Sequence, residues 1–138
     1  MHDTADYPVS VKLQVAWSDM DAFGHVNNVR YYRYFENARF RFYELTGLLD
    51  MKEKTGTGPI IAATSCSYLA SLSYPDTLHV GARISSIGET SFVMQYLVTS
   101  EKVGAAATGE AVIVMFDYRT SGKIKIPLDV REAIQKYQ

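Results

Sequence analysis

The stretch Ser18-Asp19-Met20-Asp21-Ala22-Phe23-Gly24-His25-Val26-Asn27-Asn28-Val29 separates two hydrophobic periods, and that change of period decides the fold. Before it, Val9-Ser10-Val11-Lys12-Leu13-Gln14-Val15-Ala16-Trp17 alternates with period two, which puts Val9, Val11, Leu13, Val15 and Trp17 on one face of a half-buried strand. After it, Tyr31, Phe35, Ala38, Phe42, Leu45 and Leu49 recur at alternating spacings of four and three, the stripe of a helix from about Asn28 to Leu48. Asn27 or Asn28 is available as N-cap and Gly47 as a stop. Tyr32, Tyr34, Phe40 and Tyr43 make the helix aromatic on other sides, so it is expected to be wrapped rather than laid on a surface.

Downstream, Asp50 to Pro59 reads as a connection holding a short helical turn. From Ile60 the period is two again, with strands near Ile60–Ser71, Leu78–Gly88, Ser91–Glu101 and Ala105–Tyr118. The breaks at Gly88-Glu89-Thr90 and Lys102-Val103-Gly104 are short enough for hairpins, so at least three of these strands should pair antiparallel. After a turn at Thr120–Lys123 and an extended Ile124–Ile126, Pro127 opens a terminal helix over Leu128–Tyr137. The expected class is α+β, an antiparallel sheet of five or six strands around one long central helix. Such a sheet leaves open edges and a second apolar face (Val112, Val114 and Phe116, opposite Ala111, Ile113 and Met115), which pairing with another subunit would cover.

The 138 residues, 47% of them hydrophobic, fit one domain over 1–138. With 14 basic and 15 acidic residues, net charge −1, no bulk electrostatic attraction to nucleic acid or an anionic membrane is expected. Cys66 is the sole cysteine, the N-terminus has no apolar signal region, and no apolar run approaches the roughly 20 residues of a membrane span. A soluble cytoplasmic protein without a cofactor is the expectation.

Asp19, Asp21 and His25 could be read as metal ligands, yet nothing completes a site, because His2 falls in a frayed terminus and His79 in a distant strand. Singly, Asp19, Asp21, Asn27 and Asn28 are ordinary Asx-turn and capping residues, and Gly24 supplies a positive φ. As a set they gather an acid, an imidazole and two amides before a helix N-terminus, whose unpaired N–H groups favour developing negative charge. An ordinary carboxylate is ionised at pH 7, so Asp21 could attack an activated carbonyl or orient water toward it. A thioester suits so weak a base, and neither Ser18 nor Ser67 sits in a Gly-x-Ser-x-Gly elbow.

The run Trp17–Tyr31, continued by Tyr34-Phe35-Glu36-Asn37-Ala38-Arg39, closely resembles the hotdog-fold acyl-CoA thioesterases of the 4-hydroxybenzoyl-CoA thioesterase type. Its His-Val-Asn-Asn portion is most similar to the branch holding bacterial acyl-CoA and plant acyl-ACP thioesterases, and Tyr74–Leu78 and Phe116–Pro127 also match the family's layout. The resemblance implies a hotdog fold, dimers joined through a continuous sheet, often tetramers, and active sites at the dimer interface. It implies an acyl-CoA or acyl carrier protein thioester as substrate, Asp21 as the catalytic aspartate, base or nucleophile, and the Asn28 N–H as the group polarising the carbonyl. His25 is open between a substrate or water contact and a loop-shaping hydrogen bond, and Asn27 reads as a cap or substrate neighbour. Tyr31 and Phe35 face either acyl group or core, while Thr64, Ser65 and Ser67 are candidate contacts from the second subunit. Glu36, roughly 12 Å along the helix from Asn28, is expected to pair with Arg39. Arg83, Lys102, Arg119, Lys123 and Lys125 are basic, with no phosphate site assigned among them. The rival readings are a hotdog hydratase or dehydratase and a non-catalytic acyl-thioester binding protein.

Overall fold

The computed structural model describes residues 4–138, so His2 lies outside the described residues. Helix α1 spans Asn28–Thr46, begins at an Asn27 whose side chain accepts the Val29 N–H, and stops where Gly47 takes a left-handed conformation (φ 80°). Its buried side is Tyr31, Tyr34, Phe35, Ala38, Phe42 and Tyr43, whereas Leu45 and Leu49 are exposed. Leu49 lies past the glycine stop, outside the helix, and for Leu45 the cause is geometric: a four-three repeat has period 3.5, and a straight helix drifts about 20° per heptad against it. Two heptads past Tyr31 the stripe has therefore rotated off the core.

Strands β1 (Val9–Gln14), β2 (Thr57–Tyr68), β3 (Thr77–Ile87), β4 (Ser91–Ser100) and β5 (Gly104–Asp117) form an antiparallel sheet in the order β1-β3-β4-β5-β2. The two-residue β6 (Gly122–Lys123) adds to the end of β5. The β3–β4 and β4–β5 hairpins fall at the two expected breaks. This is the hotdog arrangement, a curled sheet holding one long helix. Within the protomer it covers one side of α1, and Tyr32 and Phe40 on the other side stay exposed. Short α2 (Met51–Thr55) fills the connection before β2, and α3 (Leu128–Gln135) buries Val130 and Ile134.

Three strand boundaries differ from the sequence expectation by three residues each, among them the end of β2, at Tyr68 and not Ser71. β1 ends at Gln14, and Trp17, assigned to its buried face, is 73% exposed. The chain leaves the sheet there in a 3-10 turn, Trp17–Asp19, closed by the Ala16 N–H donating to Asp19 Oδ2 at 2.9 Å. β2 starts earlier, at Thr57, and includes Pro59. Proline fits because β2 is an edge strand, with no neighbour to require its missing N–H.

Alternation fixes the two faces of the sheet. Leu78, Val80, Ala82, Phe92, Met94, Tyr96, Ala111, Ile113 and Met115 are all buried toward α1. At their centre Phe35 stacks on Tyr96, ring centroids 4.7 Å apart and 9° from parallel. Gly109 makes this possible: a Cβ there would sit 2.4 Å from the Phe35 ring.

Candidate active site

Met20 to Val26 closes on itself as a small loop, with a Met20–Val26 bridge and the Asp21 N–H donating to the His25 carbonyl at 2.9 Å. Gly24, at φ 78°, donates its N–H back to the Asp21 carbonyl at 3.1 Å, a reversal that a residue with a side chain rarely adopts. Two anchors set the loop against the fold. Val26 N–H donates to the Leu72 carbonyl at 2.8 Å, and Asn27 N–H to the Asp19 carbonyl at 2.9 Å.

The acids of this segment have different surroundings. Asp19 Oδ2 accepts from the Ala16 N–H and the Tyr34 hydroxyl, each at 2.9 Å, and Arg30 stands 3.8 Å from Oδ1. Burial, then this hydrogen bond to Asp19, pushes the Tyr34 hydroxyl far above the ordinary tyrosine range, so it stays a donor. Asp21 is exposed; its Oδ1 accepts the Phe23 N–H at 2.9 Å in an Asx turn. Among the described residues its Oδ2 has no partner.

His25, Val26, Asn28 and Tyr31 line a cleft of about 270 Å³ with Tyr68, Leu69, Ala70 and Ser71. Asn28 is the first residue of α1, so its main-chain N–H has no acceptor within the helix. Its carbonyl accepts from the Tyr68 hydroxyl at 3.3 Å, and the Tyr68 ring meets Tyr31 edge-on at 4.9 Å. Desolvation, reinforced by neighbouring Cys66, pushes the Tyr68 hydroxyl up to about 12, so at neutral pH it donates. Sequence reasoning does not single out Tyr68; it closes a long edge strand, and its one signal is an aromatic residue at that strand's end.

Asp21 borders this cleft through its loop and does not line it. Farther along the seam between α1 and β2, a second cleft of about 290 Å³ is lined by Tyr32, Arg33, Phe35, Glu36, Arg39, Ile61 and Thr64. Glu36 lies between two guanidiniums, 2.6 Å from Arg33 and 3.8 Å from Arg39. Arg39 also donates to the Tyr96 hydroxyl at 3.1 Å. The paired candidates Thr64 and Ser65 part here. Thr64 pairs with Ala111 and faces α1, whereas Ser65 pairs with Glu110 and, like Ser67, faces the opposite side of the sheet. Arg119 is bound to Asp117 at 3.1 Å and Lys125 to Glu89 at 3.3 Å.

Residues 15–134 match the family model of the thioesterase-like superfamily. The chain belongs to that superfamily. Among its relatives, the YsmA protein of Bacillus subtilis (strain 168) is 30% identical over 112 residues, 81% of this chain and 74% of that protein. A thioesterase from Thermus thermophilus, solved in complex with coenzyme A and zinc, is 31% identical with a TM-score of 0.82 over 94% of this chain and 98% of that one. The PA5185 protein of Pseudomonas aeruginosa PAO1 superposes with a TM-score of 0.86 at 29% identity, over 98% of this chain and 94% of that one.

Proposed function

We propose that the protein hydrolyses acyl-CoA thioesters to free acid and CoA. One observation carries the reading: the exposed Asp21 carboxylate, with one oxygen unengaged, sits on the short loop that leads directly into the open N–H of Asn28. The thioester carbonyl oxygen accepts the Asn28 N–H, and the positive end of α1 stabilises the charge that develops on it. Asp21 either takes a proton from an attacking water and passes it to the departing thiolate of CoA, or attacks the carbonyl itself, expelling the thiolate and forming a mixed anhydride that water then hydrolyses to the free acid. His25, lining the same cleft, contacts water or substrate, with Asn27 holding the helix start. Tyr32, Phe35 and Ile61 offer the acyl chain an apolar wall along the α1–β2 seam. The coenzyme A bound by the Thermus relative favours CoA as the leaving thiol.

A second copy completes this site. β2 is a twelve-residue edge strand with Ile60 and Ile61 each 37% exposed, an open ladder that a second β2 satisfies by antiparallel pairing. Thr64 then lies near the partner's helix start.

Thiol release from a panel of acyl-CoAs tests the reading, with Asp21→Asn in parallel. Wild-type protein should release free thiol, and the variant should keep its fold while turnover drops by about 10²–10⁴-fold. Near-normal turnover by Asp21→Asn would remove the assignment. Saturable binding without thiol release would make the protein a binder, and loss of enoyl absorbance from enoyl-CoA would make it a hydratase.

A further inference from the structure

Two stretches of chain distant in sequence line the cleft at the start of α1, and the later one brings a hydroxyl that the chemistry proposed above leaves unused. Tyr68 is the last residue of β2 and pairs with Ala107 of β5. Just beyond it the Leu69 and Ala70 N–H groups both donate to the Ala106 carbonyl, at 2.8 and 3.1 Å, which fixes the strand end. The Tyr68 ring is held edge-on by the buried Tyr31, and the Val26 N–H bond to the Leu72 carbonyl ties the Asp21 loop to the same stretch. The loop, the helix start and Tyr68 therefore share one frame.

The hydroxyl is poorly used within this frame. At 3.3 Å its bond to the Asn28 carbonyl is longer than the about 2.5–3.0 Å usual between two oxygens. That carbonyl opens α1 and takes the helix N–H four residues on, so Tyr68 adds little to it. A bond this long gives way to a better acceptor. Only two atoms separate the amide nitrogen of Asn28 from its carbonyl oxygen, so the hydroxyl that touches the one stands close to the other. A single oxygen entering the cleft can take both donors.

We infer that Tyr68 is a catalytic residue whose hydroxyl joins the Asn28 N–H in holding the thioester carbonyl oxygen. The inference rests on the thioesterase reading and adds to the helix start a second donor, supplied by the sheet. As the nucleophile adds to the carbonyl, an electron pair moves onto the oxygen, and two fixed donors meet the charge where it develops. When the C–S bond breaks the pair returns to the carbonyl, and Tyr68 keeps its proton throughout. Its hydroxyl, raised to about 12 by desolvation and neighbouring Cys66, is suited to donate at neutral pH without ionising.

Tyr68→Phe removes the hydroxyl and leaves the ring against Tyr31. Its kcat for thiol release from acyl-CoA should fall by about 10²–10³-fold, the range for losing one donor to an oxyanion, with KM near wild type. A hydroxyl that merely steadied the helix start would also cost turnover, so a second readout reports on the carbonyl itself. An acyl-CoA analogue with a methylene group in place of sulfur keeps the carbonyl and cannot be hydrolysed, and each donor to a carbonyl lowers its infrared stretching frequency. The carbon-13-labelled carbonyl should absorb at lower frequency bound to wild type than bound to Tyr68→Phe. An active wild type matched in turnover by Tyr68→Phe overturns the role of Tyr68 and leaves the thioesterase reading standing. So does a lowered turnover with the carbonyl frequency unmoved. A wild-type protein that releases no thiol from any acyl-CoA removes both.

Discussion

Asp19 and Asp21 stand two positions apart and meet opposite environments. The Asp19 side chain is 13% exposed and holds two donors at 2.9 Å, whereas Asp21 is exposed and holds one. Hydrogen bonds to a charged group contribute about 1.5–3 kcal/mol each where burial is substantial, and less where water competes. Asp19→Ala is therefore expected to lower the urea unfolding free energy by about 2–3 kcal/mol, and Asp21→Ala by less than about 1 kcal/mol. Equal losses would contradict the division of labour. The residues alone give both the same reading, an Asx turn or a cap, because those are local devices, and only the family resemblance singles out Asp21. Neither shows what completes them. Tyr34, fifteen residues on, joins Asp19, and Tyr68, forty residues on, reaches the Asn28 carbonyl. Tyr34 arrives through the packing of α1 beside the loop and Tyr68 through the curl of the sheet, and neither leaves a local pattern. For Thr64 and Ser65 strand alternation already puts neighbours on opposite faces, and only the β2–β5 register shows that Thr64 is the one toward α1.

Among the elements, period marks identity well and limits less well. The long helix, its asparagine cap, its glycine stop and both hairpins are legible because each rests on contacts within a few residues. The exposed Trp17, Leu45 and Leu49 depend instead on where β1 ends, how the helix rotates over the sheet and where the helix stops. Gly109 shows what such tertiary demands require. A glycine inside a strand weakens the strand, yet here the Phe35 ring occupies the place of its Cβ and stacks on Tyr96. The Ser65 carbonyl would also lie 3.0 Å from that Cβ, so both ring and neighbouring strand resist the added carbon. Gly109→Ala should destabilise the protein by about 1–3 kcal/mol, the range for overpacking a filled core. Denaturant unfolding checks this, and a variant as stable as wild type would mean that the Phe35–Tyr96 stack shifts freely.

At the scale of the whole molecule, the core carries aromatic hydroxyls as well as rings, which ties its stability to alkaline pH. Tyr31, Tyr34, Tyr43 and Tyr96 are all buried, and desolvation raises each above the ordinary value of 10.0. For Tyr34 the adjacent Asp19 carboxylate adds to the effect, since an ionised tyrosine there would lose its bond and face a like charge. In the unfolded chain these groups release their protons near pH 10, and in the folded protein at higher pH. Above pH 10 the folded state therefore binds more protons than the unfolded one, and stability falls as pH rises. Below pH 10 the tyrosine contribution is fully present and flat. Melting temperature should hold on approaching pH 10 from below and then fall steeply, with the buried tyrosines adding their tyrosinate absorbance only at the unfolding transition. Tyr34→Phe should be less stable at neutral pH, having lost its bond to Asp19, yet show a shallower alkaline decline because one raised group is gone. A variant whose decline matches wild type would mean that Tyr34 does not couple to folding, and buried tyrosines titrating near pH 10 in the folded protein would mean that water reaches the core the sheet encloses.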